Sequence, residues 1–206
     1  MTKILGNVSA PEGEQEICVN CGLCCDATLF LHATLQPGER GHLPEKIEEA
    51  GSTGDGGDYF LLPCGYFSGA CTIYDCQRAD VCSTFRCRLL KVFAGGGISQ
   101  ADALRTVREA VAMRDAVLAE YHRVTGRDAV AGFRRMIIDL GAAMKGLKDS
   151  GASAVVPAGG AVAGDAMDGV TLARDYEMLL VRCNILEALL IRFFMSDEEF
   201  EKYIMR

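Results

Sequence analysis

Four thiols crowd into one short stretch near the start of the chain, Cys18-Val-Asn-Cys21-Gly-Leu-Cys24-Cys25. Thiolate sulfur is a soft ligand, and four sulfurs set tetrahedrally suit zinc or an iron–sulfur centre. A two-residue spacer lets two sulfurs face one ion while the amides between them turn around it. The spacer occurs twice in succession here, and Gly22 supplies a residue that takes positive φ at no steric cost. Cys18, Cys21 and Cys24 also match the opening of a bacterial ferredoxin cluster run. That run continues to a fourth cysteine four positions on, where this chain has Thr28. A fourth ligand must therefore be Cys25 or come from a distant segment.

Distant segments hold the donors. Of ten cysteines, nine lie between Cys18 and Cys87, and Cys64, Cys71, Cys76, Cys82 and Cys87 follow the first four. They could supply two four-ligand sites, or one cluster and one zinc; spacing leaves both open. Buried thiols can also act as small hydrophobes, but four in so short a run weigh against that. Residues 1–16 contain no apolar stretch long enough for a secretory signal. The expectation is a cytoplasmic protein with reduced thiols, which favours metal over disulfide. Cys76 reads as a spare ligand, a redox-active thiol or an idle neighbour. Cys183, among apolar neighbours, is expected in a helix core. His32 could replace one thiol in a Cys3His site, whereas His42 and His122 stand alone.

The longer pattern resembles a known family. The Cys18–Cys25 run, Leu62-Pro63-Cys64, Cys71-Thr-Ile-Tyr74, Arg78 and Cys82-Ser-Thr-Phe85-Arg86-Cys87 are similar to the YkgJ-like cysteine-cluster family, described as a zinc- or iron-chelating domain. The resemblance covers roughly residues 17–90. It implies metal chelation through Cys18, Cys21, Cys24, Cys25, Cys64, Cys71, Cys82 and Cys87, and implies no reaction. Ala79 stands where the family has proline and Ser83 where it often has arginine. The segment from Tyr74 to Cys82 is one residue longer, and Cys76 is an addition.

Composition removes other classes. The net charge is −7, with 7 Lys and Arg against 12 Asp and Glu in residues 1–100 and 14 against 16 in the remainder. Neither half carries the basic excess of a nucleic-acid binder. The most apolar stretch, Met178 to Met195, contains Arg182, Asn184, Glu187 and Arg192, charges too costly for a membrane span. The glycines at 95–97 and 159–164 lack the Lys-Ser/Thr of a phosphate loop. No HExxH, GxSxG or readable nucleophile–base pair is present, so catalytic residues are unknown.

The elements that must position the thiols follow from punctuation and periodicity. Residues 1–16 read as a flexible leader, 17–93 as a cysteine-cluster region and 98–206 as a helical region with a Gly/Ala-rich connector at 150–170. The fold class is α+β: a small cysteine-rich metal-binding knuckle with short strands, followed by a mainly α-helical bundle. Strands are expected within 27–35, at 59–64 and at 70–74, and helices at 44–50 and 79–93. Ser99 with Asp102 predicts a cap for a helix ending before Gly126. Further helices are predicted at about 128–147, with Phe133, Met136, Ile137, Leu140 and Met144 on one face, and at 172–195, capped by Thr171. Ser196 with Glu199 predicts a last short one. Tyr74 and Phe85 would pack over the site, and Arg86, Arg88 and Lys91 could steady a negative cluster.

The expected function is chelation of iron, as an iron–sulfur cluster, or of zinc. The thiol triplet and the scarcity of histidine lean to iron–sulfur. One alternative is a metal-dependent or redox enzyme, which a pocket lined by His32, Tyr74 and Arg78 would favour. Another is a zinc-stabilised interaction module with a protein partner on the helix at 172–195.

Overall fold

The computed structural model describes residues 12–127, 132–149 and 169–196. Chain order runs α1 (Glu12–Cys21), β1 (His32–Thr34), α2 (Glu45–Glu49), β2 (Gly51–Gly54), β3 (Gly57–Leu61), α3 (Asp80–Thr84), α4 (Arg88–Ala94), α5 (Gln100–Thr125), α6 (Phe133–Asp149) and α7 (Gly169–Phe193). The mixture of helices with one small antiparallel sheet, ordered β1-β3-β2, is the expected α+β class.

The helical side obeys its sequence signals. Ser99 Oγ accepts from the Asp102 amide at 3.1 Å, closing the first turn of α5. The helix ends at Gly126 with φ +62, a left-handed cap that glycine takes without strain. Ala103, Val107, Ala110, Val117 and Tyr121 recur at helical spacing and are buried. On α6, Phe133, Met136 and Leu140 are buried as the periodicity predicts. They join Leu179, Cys183, Leu186 and Leu190 of α7 and Ile17, Leu23 and Leu29 in the main core. Arg134, 3 % exposed, donates to Glu187 Oε1 at 2.6 Å and to the Leu29 carbonyl at 3.2 Å. It thereby clasps α6 to α7 and to the segment after the first cysteines.

Three local expectations are corrected. Residues 12–16 are not leader: they begin α1, because Ile17 is fully buried and Glu14 nearly so, and the helix forms around that buried face. The stretch 70–74 forms only an isolated bridge, Phe67 to Cys71. The second partner of β3 is instead β2, paired from Gly51–Phe60 to Gly54–Gly57. The helix expected at 79–93 is two helices, since Phe85 and Cys87 adopt extended backbone (ψ 130° and 166°). Of the connector expected at 150–170, residues 150–168 lie outside the described residues, as does the last helix beyond 196, and Gly169 and Val170 belong to α7.

A second, smaller core of Leu35, Ile47, Phe60 and Ala79 lies under the sheet. Among the described residues, no helix is long and apolar enough to cross a membrane.

Cys183 is 3 % exposed, and burial, with Glu187 nearby, pushes its thiol up to about 11 from an ordinary 9. The folded value lies above the unfolded one. The neutral thiol's contribution is therefore complete below pH 9 and is lost as pH rises toward 11. Denaturant titrations at pH 8 and 11 should show the native chain losing about 2 kcal/mol more than Cys183→Ala over that interval.

Candidate metal centre

The first four thiols are placed by the end of α1 and the turn after it. Cys18 and Cys21 sit on the last turn. Gly22 then takes φ +66, and its carbonyl accepts from the amides of Cys25 (2.9 Å) and Asp26 (3.0 Å). Leu23, in that tight turn, is fully buried. Asp26 fixes the exit: its Oδ1 accepts from the Thr28 amide at 2.8 Å, and its carboxylate pairs with Arg114 of α5. Ala27 has φ +63, a strained conformation for a residue with a side chain. Gly132 packs against it so closely that a Cβ there would meet Ala27 Cβ at 2.5 Å.

The remaining thiols arrive from separate segments. The Cys64 amide donates to the Cys25 carbonyl at 2.8 Å, stitching the segment after β3 to the knuckle turn. Cys71 lies opposite Phe67 in the isolated bridge, Cys82 is on α3, and Cys87 is the N-cap of α4.

These side chains line two cavities. The larger, about 260 Å³, is walled by Cys18, Cys24, Cys25, Cys64, Cys71 and Cys82 and, among hydrocarbon groups, by Phe30, Phe60, Leu62, Phe67 and Phe85; His32, Tyr74 and Arg78 are its main polar lining. The smaller, about 50 Å³, is walled by Cys18, Cys21, Cys24, Cys25 and Cys87 with Leu23, Leu29 and Phe194. All eight family-implied ligands thus face one cavity or the other. Cys76 faces neither and is exposed. His32 is exposed on β1 and stacks with Tyr59 at 5.0 Å, at the solvent side of the larger cavity. Tyr74 and Phe85 do wall that cavity. The thiols share walls without forming a coordination shell: among the described residues, no three Cys, His, Asp or Glu side chains are grouped so as to hold a metal ion directly.

The donor chemistry nonetheless fits a soft metal. Among the described residues, no carboxylate lines either cavity. Burial pushes the Cys21 thiol up to about 12, against one favourable backbone hydrogen bond. Burial raises Cys24 well above the ordinary range, with Cys21, Cys87, Cys25 and Cys18 adding to it. Burial raises Cys25 too, helped by Cys82, Cys18, Cys64 and Cys71. Thiols that oppose one another's ionisation become thiolates together only beside positive charge, which a metal supplies.

Two arginines stand next to the thiols. Burial raises Cys18, while Arg86 and then Arg78 pull it down. Arg86 Nε donates to Glu14 at 2.6 Å and a second guanidinium nitrogen to the Ser83 and Phe85 carbonyls. Of the three cations singled out in the sequence, Arg86 lines a small adjoining crevice with Cys18 and Cys82, and Arg88 and Lys91 do not. Glu14 was invisible as a site residue, because its role depends on an arginine 72 positions away. Asp26 carried a local signal, a carboxylate two residues before a threonine amide.

No protein-family model, curated protein or solved structure matches the chain. The resemblance to the YkgJ-like family thus rests on the cysteine pattern.

Two substitutions test this frame. Gly22→Ala forces a side chain into positive φ and against the Phe67 ring, so thermal unfolding should show destabilisation of about 2 kcal/mol or more. Arg86→Ala leaves Glu14, 7 % exposed, without its cation and should cost about 2 kcal/mol by denaturant titration. Wild-type stability in either variant would discount that contact.

Proposed function

We propose that the chain is a metal-binding protein of the YkgJ-like type, which chelates iron as an iron–sulfur cluster, or zinc, through Cys18, Cys21, Cys24, Cys25, Cys64, Cys71, Cys82 and Cys87. The observation that supports it is the gathering of eight thiols from four segments onto two adjoining cavities free of carboxylates. The cavities suggest two sets. Cys21 and Cys87 face only the smaller one, and Cys64, Cys71 and Cys82 only the larger. Cys18 and Cys24 go with the first pair and Cys25 with the second group, each set reaching the four ligands that a zinc ion or cluster takes.

The residues' part in binding is deprotonation and rotation. Each thiol gives up its proton and turns into its cavity, so binding releases protons and tightens as pH rises. Arg86, held by Glu14, offsets part of the negative charge that four thiolates bring to one metal. The Cys18-Cys21-Cys24 triplet and the scarcity of histidine lean to iron–sulfur over zinc, and with it a redox role in the cytoplasm.

Metal analysis and the visible spectrum of protein purified without oxygen provide the test. Iron with acid-labile sulfide and a broad band near ~400 nm is the expected result; zinc in a colourless sample would make the centre structural. Cys21→Ser and Cys82→Ser should each lower metal per chain by about half, and the pair should remove nearly all of it. A chain that holds neither metal, or that keeps its full content in the double variant, would overturn the proposal.

A second reading, a metal-dependent or redox enzyme, is favoured by one observation: the larger cavity is lined by His32, Tyr74 and Arg78 as well as by thiols. The exposed stripe Met178, Val181 and Ile185 on α7 suits the interaction-module reading instead.

A further inference from the structure

The larger cavity is lined both by thiols, of the knuckle, of the segment 64–71 and of α3, and by hydrocarbon, including Ala33 and Phe60 of the sheet with Leu62 and Ile47. Its 260 Å³ exceeds what one ion about 2.3 Å from its sulfurs occupies, so hydrocarbon-lined space remains beside it.

One group in that lining has an unsatisfied buried donor. The Arg78 guanidinium stacks over the Tyr74 ring at 4.2 Å. Its Nε is buried and has no hydrogen-bond partner. Among the described residues it forms none of the ion pairs that hold Arg40, Arg86, Arg114 and Arg134. A buried cationic N–H without an acceptor is costly, and a guanidinium fork is shaped for a carboxylate.

We propose that the larger cavity binds a small organic acid, with its hydrocarbon part against the sheet wall and its carboxylate on Arg78, beside the metal centre. The inference rests on the metal-binding reading and adds the class of molecule that shares the site. A carboxylate is the match for Arg78 because a single guanidinium fork pairs with a single carboxylate. A phosphate dianion would leave an uncompensated charge in low dielectric. The hydrocarbon portion is short, since the metal and the carboxylate share the same volume.

The rival duty for Arg78 is to steady the thiolates of Cys18 and Cys82, which lie beside it in an adjoining crevice. Titration calorimetry on the metal-loaded full chain separates the two, with hexanoate and 1-hexanol as matched probes. Hexanoate should bind about tenfold or more tighter than the alcohol. Arg78→Gln should erase that difference while metal content and visible spectrum stay unchanged. Ala33→Phe, which fills the sheet side away from the sulfurs, should weaken both probes alike.

Equal affinities for the two probes, or no binding of either, would overturn the proposal, and the unmodified chain alone suffices for that comparison. So would an Arg78→Gln chain that keeps the preference while losing metal, since Arg78 would then serve the thiolates. Hexanoate binding that depends on Arg78 in a chain found to hold no metal would sustain the acid site and sink the metal reading. Metal without a hexanoate preference would do the reverse.

Discussion

The hydrogen bond from the Cys64 amide to the Cys25 carbonyl, 2.8 Å long, joins the two halves of the cysteine pattern. Everything around the cavities depends on the turn it anchors. Between Gly22 and Leu29 the chain must reverse while largely buried, which leaves its backbone amides and carbonyls with few routes to water. Each must find a partner in protein. The turn satisfies some internally: Gly22 and Leu23 carbonyls accept from Cys25, Asp26 and Leu29. The rest is met from both sides, by Cys64 from the sheet side and by Arg134, whose amide donates to Ala27 and whose side chain donates to Leu29. The left-handed Ala27 is held because tertiary partners over-determine it. The position of four thiols is thus fixed by backbone bonding more than by any preference of cysteine.

That arrangement sets the electrostatics. The larger cavity touches both apolar clusters, and the smaller lies within the helical one. Low dielectric there makes uncompensated charge expensive and compensated charge strong. Thiols placed there resist ionisation, as the rise at Cys21 to about 12 shows. The same surroundings give Arg86 and Arg78 more influence than they would have in water. Arg86 is itself anchored by Glu14 and two carbonyls, so its charge is fixed in place. Arg78 lies over the Tyr74 ring.

What the sequence could reveal divides along the range of the interactions. Local chemistry was legible: the glycine at positive φ between Cys21 and Leu23, the Ser99 cap with Asp102, the left-handed stop at Gly126, and the buried stripe of Phe133, Met136 and Leu140. Elements made by partners were not. Strand β2 is Gly-Ser-Thr-Gly, with almost no intrinsic strand preference, and exists because β3 supplies its pairing. Residues 70–74 have strand-like composition but no neighbour long enough to pair with them. Helix α1 is weakly amphipathic on paper, and only the core that receives Ile17 and the arginine that receives Glu14 define it. The break at Phe85–Cys87 carries no proline or glycine. Phe85 packs edge-on against Phe30 at 5.4 Å, and Cys87 begins a new helix. The thiols were found at once because their spacing is local. Their division between two cavities needed the fold.

The smaller cluster under the sheet gives the thiols a structural consequence. Among the described residues, Leu35, Ile47, Phe60 and Ala79 are its buried members, beneath strands of three to five residues. So little apolar burial seldom holds a unit of this size without a covalent or metal staple. The segments that carry Cys64, Cys71 and Cys82 are the ones that wrap this cluster, whereas Cys18, Cys21 and Cys87 belong to elements of the main helical core. A metal bound by Cys25, Cys64, Cys71 and Cys82 would therefore tie the weaker half to the stronger through the turn at Gly22. Its binding free energy would appear as folding free energy of the sheet side. The helical side, which has its own core of long side chains, would lose less if its own thiols were left free. The two sets would then differ in consequence as well as in ligands, one fastening the sheet to the bundle and the other lying within an interior already packed.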